Sequence, residues 1–290
     1  MRSCSVVYPS RAVPRAPPAS RPSHAARVLS WKSLLRREGR KSGNRAEKAR
    51  PGFHIDIHVH TKLSSDGRST RDMVASAAAS RGMDAIVLTD HNACAIDSPV
   101  YCCGVWLLPG CECSTDSGHI LGLFTDKKPD FAALFKDGLP SAADAVQSLH
   151  ECGAVTVLAH PFQRAGDRHE APVDCIETAN ARACFRNPAA NAQAKAHAMS
   201  LGLPEAGGSD AHSAKEVGNA YTVVIAEDCS LPALREAFMS GRCIAVLAKN
   251  TPRRFKGYSQ FRQAWRSRNP IRIIKGIAYI FYCLLLDVRR

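Results

Sequence analysis

Nine side chains of the types that bind transition metals are spread through the middle of the chain: His58, His60, Asp66, His91, Glu112, His119, His160, Asp210 and His212. Their placement carries as much information as their type. His58 and His60 stand two apart, so on a strand both point to the same side. His91 closes the run Thr89-Asp90-His91, and His160 stands between Ala159 and Pro161. Glu112 follows Leu107-Leu-Pro-Gly, and His119 opens an apolar run. Asp210 and His212 lie in Gly207-Gly-Ser-Asp-Ala-His, and Asp66 precedes Gly67 in the loop after the first strand. Imidazole nitrogens mixed with carboxylate oxygens suit Zn, Mn or Fe(II) better than Mg or Ca, which prefer oxygen alone. A single ion takes about four to six ligands, so this set predicts two or three divalent ions, with Glu112 suited to bridge two of them. Such ions outweigh the three carboxylates. The site would therefore attract and polarise a phosphate, and would lower the pKa of bound water to about 7, giving a hydroxide nucleophile.

Residues so far apart in sequence meet only if the fold gathers their strand ends. Strand and helix signals alternate from Phe53 onward. Strands are expected at Phe53–His60, Asp84–Thr89, Val105–Leu108, His119–Phe124, Ala154–Ala159, Asp174–Glu177, Glu205–Ser209, Tyr221–Ile225 and Cys243–Leu247. Helices are expected at Thr70–Ser80, which opens on a Ser/Thr cap, and at Ser141–Cys152, Pro188–Leu201 and Leu231–Ser240. This alternation over about 200 residues predicts an α/β fold with a parallel sheet, plausibly a barrel whose mouth collects the strand ends. His24, His54, His150, His169 and His197 lack that placement and are read as ordinary histidines.

The net charge of +13 suggests a nucleic-acid binder until it is located. Residues 1–50 hold thirteen Lys or Arg against two Glu, and residues 251–290 hold ten against Asp287 alone. The stretch between them is therefore acidic, as suits a cation-binding enzyme. No apolar signal segment opens the chain, and the twelve cysteines show no C-x-x-C pair. They are read as reduced thiols in a cytoplasmic protein. Residues 1–51 read as a disordered basic extension, either a mis-started segment or a transit-like one. Residues 251–290 read as a basic tail with a short apolar helix at 276–286, too short to span a membrane. That helix is read first as packing against the barrel; the alternative is contact with an anionic membrane surface or another polyanion.

Taken together, His58-Val-His60, Thr89-Asp90-His91, Glu112, Gly118-His119-Ile-Leu-Gly122, Ala159-His160-Pro161 and Gly208-Ser-Asp210-Ala-His212 resemble the motifs of the PHP (polymerase and histidinol phosphatase) superfamily, in order and spacing. The resemblance covers the domain placed at 52–250. It implies a distorted (β/α)7 barrel with a trinuclear site, flanked by flexible basic extensions. It also implies that His58, His60, Glu112 and Asp210 hold the first metal and carry catalysis. Asp66, His91 and His212 would hold the second metal, and Glu112, His119 and His160 the third. The similar stand-alone proteins include nucleotide phosphatases and 5′–3′ exonucleases. Two features depart from many relatives: Asp66 lies six residues after His60 rather than five, and only about 40 residues separate His119 from His160.

The expected activity is phosphoester hydrolysis, on a phosphorylated small molecule or the 5′ end of a nucleic acid. Arg164, Arg182 and Lys62, just beyond strand ends, are the candidates to grip the substrate phosphate. Glu177 and Asn180 are candidates to orient histidine ligands. A metal-dependent amidohydrolase is the competing enzyme class, disfavoured because no Lys ends a core strand. A non-catalytic metal-binding PHP module is the third reading, disfavoured because all nine ligands are present.

Overall fold

The computed structural model describes residues 52–164 and 171–288. The expected extension at 1–51, with His24, and also His169, lie outside the described residues. Ten strands form one sheet in the order β10-β9-β1-β2-β4-β5-β6-β7-β8, with β3 (Val100–Cys102) paired on the flank of β4. The strands are β1 (Phe53–Val59), β2 (Ala85–Leu88), β4 (Val105–Thr115), β5 (Gly118–Leu123), β6 (Val155–Leu158), β7 (Cys175–Asn180), β8 (Glu205–Gly208), β9 (Ala220–Val224) and β10 (Cys243–Leu247).

Side chains from opposite ends of this order share one core. Ile55 and Ile57 of β1, Val87 of β2, Leu121 of β5, Val157 of β6, Cys175 of β7 and Ala206 of β8 lie in a single buried cluster. Only a sheet that wraps around can bring them together. Closure is direct at the mouth, where Val59 bridges Ala211 in parallel and His60 N–H donates to the Ala211 carbonyl at 2.8 Å. The architecture is the expected distorted, nearly closed barrel. Helices cover its outside: α1 (Arg71–Ser80), capped by the Thr70 hydroxyl; α2 (Phe131–Leu134); α3 (Ala142–Glu151), capped by Ser141; α4 (Ala190–Leu201); and α5 (Leu231–Met239).

The sheet is mixed rather than purely parallel. Pairs β1–β2, β2–β4, β6–β7 and β7–β8 are parallel, whereas β4–β5 and β5–β6 are antiparallel. β9 is also antiparallel, to β1 and to β10. For β5 the cause is local: only Asp116 and Ser117 separate it from β4, and so short a link permits only a hairpin. The same hairpin explains why Glu112 and His119 sit irregularly with respect to strand ends. β4 pairs with β2 through Pro109 and then runs on to pair with β5, so Glu112 lies mid-strand at the level of the mouth. His119 reaches the same level from the start of a strand running the other way, opposite Ser114.

The C-terminal segment differs from the flexible tail expected of it. Two helices, α6 (Arg253–Arg266) and α7 (Pro270–Val288), form a hairpin. A side chain at Gly257 would press on the Ile280 backbone, and one at Gly276 on that of Phe261, so the two glycines let the helices approach closely. Asp287 accepts the N–H groups of Arg253 and Arg254 at 2.7 and 3.0 Å, which ties the end of α7 to the start of α6. The hairpin is docked on the barrel: Arg266 donates to the carbonyls of Ser64 and Lys62 at 2.8 Å, and Tyr258 stacks under Arg68. A charge-dense sequence with glycines inside its helices reads as a tail; contacts to the barrel override that local signal.

The described cysteines are free thiols, many of them in the core. No helix among the described residues is long and apolar enough to cross a membrane.

Candidate metal centre

All nine side chains singled out by type and spacing converge at the barrel mouth. Glu112, fully buried, is the hub. Its Oε2 lies 3.4 Å from His58 Nε2, 3.2 Å from His60 Nε2 and 3.0 Å from His91 Nδ1. Its Oε1 lies 2.7 Å from His119 Nδ1 and 3.1 Å from His160 Nε2. One carboxylate thus presents its two oxygens to two separate sets of imidazoles, the arrangement a bridging ligand requires. Asp210 Oδ1 stands 3.7 Å from His60 Nε2 and 3.3 Å from His212 Nδ1. Asp66, despite its extra residue of spacing, reaches His212 Nε2 at 3.0 Å and His91 Nε2 at 3.9 Å.

The donor atoms fit divalent cations. Four groups gather ligand atoms within 4.8 Å of one another: His58/His60/Asp210, His60/His91/His212, His58/Glu112/His160 and His91/Glu112/His119. Buried polar atoms normally find partners, yet His58 Nε2, His60 Nε2, His119 Nδ1, Glu112 Oε2 and Asp66 Oδ1 have none within hydrogen-bonding geometry. All five face the same space. Electrostatics divide the group: burial lowers His58 and His91, but the carboxylates around them outweigh it, pushing His58 up and His91 up to about 9. Burial would raise the Glu112 carboxyl, but His119, His91 and His58 around it hold it well below the usual carboxylate range. Burial, with His212 and His91 close by, pushes His60 down to about 3, which keeps its imidazole neutral and able to ligate.

The surrounding chain aims these ligands. Glu177 Oε1 lies 3.0 Å from His58 Nδ1, leaving Nε2 to face the centre. Its other oxygen accepts from the His160 backbone N–H at 2.7 Å and from Asn180 Nδ2 at 2.9 Å. Glu177 and Asn180 thus stand where orienting partners belong. Behind the site Gly208 leaves no room for a side chain, since a Cβ there would collide with the Cβ of His58. The candidate ligands His160 and Asp210 hold φ values of 30° and 54°, left-handed conformations that cost about 1–3 kcal/mol each and that cluster at functional sites. Replacing Glu177 with Gln is expected to lower metal affinity about 10–100-fold, measured by competition with a chromogenic chelator. An unchanged affinity would show that Glu177 does not orient His58.

Two orienting groups escaped the sequence reading. Asp90 accepts from the Ser64 and Thr61 hydroxyls at 2.6 and 2.8 Å, and Ser64 in turn touches His60 Nδ1 at 3.2 Å. Its position within Thr89-Asp90-His91 was the available signal. Glu216 accepts from Ser213 just beyond His212 and from Arg182, and nothing in its sequence neighbourhood marks it.

The three candidate phosphate grips fall differently. Arg182 is fully buried: its Nη2 lies 2.6 Å from Glu216 Oε2 and donates to the Ser259 hydroxyl of α6 at 3.1 Å. It has no solvent face with which to meet a substrate. Lys62 is exposed, and its carbonyl is bound by Arg266. Arg164 is exposed and lines a cavity of about 430 Å³ together with Arg186, Arg253 and Lys256. A neighbouring cavity of about 870 Å³ shares Arg186 and Lys256 and adds Arg266, Arg272 and Lys275, with Ser65, next to Asp66, on its barrel side. Among the described residues neither cavity has an acidic lining residue. The Lys256 ammonium makes no ion pair among the described residues, and burial together with Arg182 pushes its pKa down. Lys256 was hidden in what reads as a tail.

The histidines without strand-end placement stay apart. His150 pairs with Asp174 at 2.9 Å, His54 packs on Tyr221, and His197 packs on Phe162.

Residues 56–156 match the model of the PHP domain, and residues 188–243 match that of the PHP-associated region. The chain belongs to the PHP superfamily. With its groups of His, Asp and Glu ligands, this PHP chain is a metal-dependent hydrolase. Among curated proteins it is similar to the uncharacterized protein MJ0417 of Methanocaldococcus jannaschii, 28% identical over 180 residues, covering 58% of this chain and 68% of that one. Its fold is similar to that of a two-domain Bacteroides vulgatus protein containing a predicted PHP-like metal-dependent phosphoesterase, at TM-score 0.52 and 22% identity over 71% of this chain and 70% of that one. PsfC from Pseudomonas syringae is similar at TM-score 0.52 and 20% identity, over 74% of this chain and all of that one. The hairpin α6–α7 lies beyond both matched models.

Proposed function

We propose that this PHP chain hydrolyses phosphoesters, taking either a phosphomonoester or the terminal phosphodiester at a nucleic-acid 5′ end. The observation that carries the reading is the pairing of a Glu112-centred cluster with adjoining cavities whose charged lining, among the described residues, is all cationic. His58, His60, Glu112 and Asp210 would hold a first ion; Asp66, His91 and His212 a second; Glu112, His119 and His160 a third. Divalent Mn, Zn or Fe bound there supplies Lewis-acid polarisation of the phosphoryl group and lowers the pKa of water.

The chain's own contribution is orientation and charge. Glu112 neutralises and spaces the imidazoles, while Glu177 and Asp90 lock two ring orientations. His91 and His119 are the ligands with exposed edges, so the substrate phosphate enters beside them. Lys256, Arg164 and Arg186 face the adjoining cavities, where they attract the substrate's phosphate oxygens. An uncharged amide substrate would gain nothing from such a lining, which favours a phosphoester over a neutral amide.

The test uses the full chain, stripped with a chelator and reloaded separately with Mn, Zn or Fe(II). Nucleotides, sugar phosphates and 5′-phosphorylated oligonucleotides are assayed for release of phosphate or mononucleotide. Turnover on at least one of these, abolished by the chelator, is the expected result. Lys256→Ala should then raise KM about tenfold, a loss near 1.4 kcal/mol, with kcat little altered. Hydrolysis of cyclic amides without any phosphoester turnover would replace this reading with the amidohydrolase one.

A further inference from the structure

Among the described residues, one face of α7 has no partner. Ile271, Ile274, Phe281, Leu285 and Val288 are 64, 68, 63, 62 and 85% exposed, and Ile277 beside them is 43% exposed. At helical spacing these six fall on an arc of about 120° that runs some 26 Å along the helix. The opposite face packs on α6, with Gly276 and Cys283 buried there. An amphipathic helix normally turns its apolar side inward; α7 shows an apolar stripe to solvent. A contiguous exposed stripe of this kind marks an interaction surface.

Charge selects the partner. The hairpin carries eight cations from Arg253 to Lys275 against Asp287 alone, and Arg254 and backbone N–H groups already occupy Asp287. Lys275 lies just beyond the edge of the apolar arc, and Arg268 follows α6. Trp265, 62% exposed, lies near the hairpin turn, and Tyr282, 56% exposed, borders the arc. A second copy seated on this face would bring two strongly basic surfaces together. An anionic bilayer answers both halves of the pattern: acyl chains receive the apolar arc, lipid phosphates receive the flanking cations, and the aromatic rings sit at headgroup level.

We propose that α7 is a membrane-surface helix that docks this protein on anionic lipid, lying in the plane of the bilayer without crossing it. The docking is not confined to the hairpin. Arg266 joins it to the Lys62–Ser64 loop beside the metal ligands, so the barrel mouth is held close to the anchored element.

Flotation of the full chain with vesicles tests this without any turnover measurement, so it stands apart from the phosphoesterase reading. Binding is expected to vesicles of phosphatidylcholine mixed with phosphatidylglycerol, to be at least about tenfold weaker to phosphatidylcholine alone, and to weaken with added salt. The double variant Ile274→Glu/Phe281→Glu should lose more than about tenfold in partitioning. Both substitutions are on exposed positions, and an unchanged melting temperature checks that the variant is folded. Lys275→Ala, a second variant with the apolar arc intact, should weaken the preference for the anionic vesicles. Failure of the wild-type chain to float with anionic vesicles overturns the proposal, as does undiminished binding by the Glu variant. A wild-type dimer in sedimentation velocity that the Glu variant disrupts, without vesicle binding, assigns the face to a second copy instead.

Discussion

Glu112→Gln is expected to empty the centre while leaving the barrel folded. The amide matches the carboxylate in size, so packing around the fully buried position survives. The charge that five imidazoles share does not. With one anionic oxygen pair gone, the ions it would bridge lose their common ligand, and the purified protein should hold at most about one metal equivalent instead of two to three. Lewis-acid stabilisation of a phosphoryl transition state is worth several kcal/mol; losing about 4 kcal/mol corresponds to a roughly thousand-fold fall in turnover. Elemental analysis and single-substrate kinetics on the same preparation measure both quantities. His150→Ala serves as the control, since His150 pairs with Asp174 away from the cluster, and its turnover should stay within a few-fold. A glutamine variant with full metal content and full turnover would remove Glu112 from the mechanism.

The second large effect is on stability. Arg182 and Glu216 form an ion pair in which both side chains are essentially inaccessible. Removing one partner of such a pair leaves the other charge buried, at a cost of about 3–5 kcal/mol. Glu216→Ala should therefore lower the melting temperature by about 6–20 °C, at 2–4 °C per kcal/mol for a domain of this size. The double variant Arg182→Met/Glu216→Met removes both charges and should recover much of that loss. The same experiment separates two roles for Arg182. A phosphate grip would show as a raised KM at an unchanged melting temperature; a buried strut between the barrel and Ser259 of α6 shows as lost stability. A melting temperature within about 2 °C of wild type in Glu216→Ala would sink the strut assignment.

The convergence of the nine candidate ligands was legible in the sequence because metal ligation is a demand on residue type, and type survives in a string. His58 and His60 could be placed on one side of a strand from period two alone, and Asp210 and His212 from their position after Glu205–Ser209. The strand–helix alternation likewise led to a barrel. Its mixed sheet did not follow from the alternation, because the direction of β5 depends on a two-residue link that periodicity does not weigh. The role of Glu216 was illegible for a different reason: it acts through a hydrogen bond to Arg182, distant in sequence, and nothing about a single carboxylate announces its partner.

Arg182 and the C-terminal segment show most clearly where tertiary structure decides. An arginine just past a strand end is a fair candidate for gripping phosphate until the fold covers it, and burial then requires an anion, which Glu216 provides. Residues 253–288 carry charge and helix-interior glycines that read locally as a tail. Packed together, the same glycines bring α6 against α7, Asp287 ties the hairpin, and Lys256 turns toward the cavities beside the metal ligands. The sequence by itself determined which atoms can bind metal and that strand ends must gather them. Only the tertiary structure decided which charges are buried and paired and which face open space, because burial and pairing belong to the packed chain as a whole and not to any segment of it.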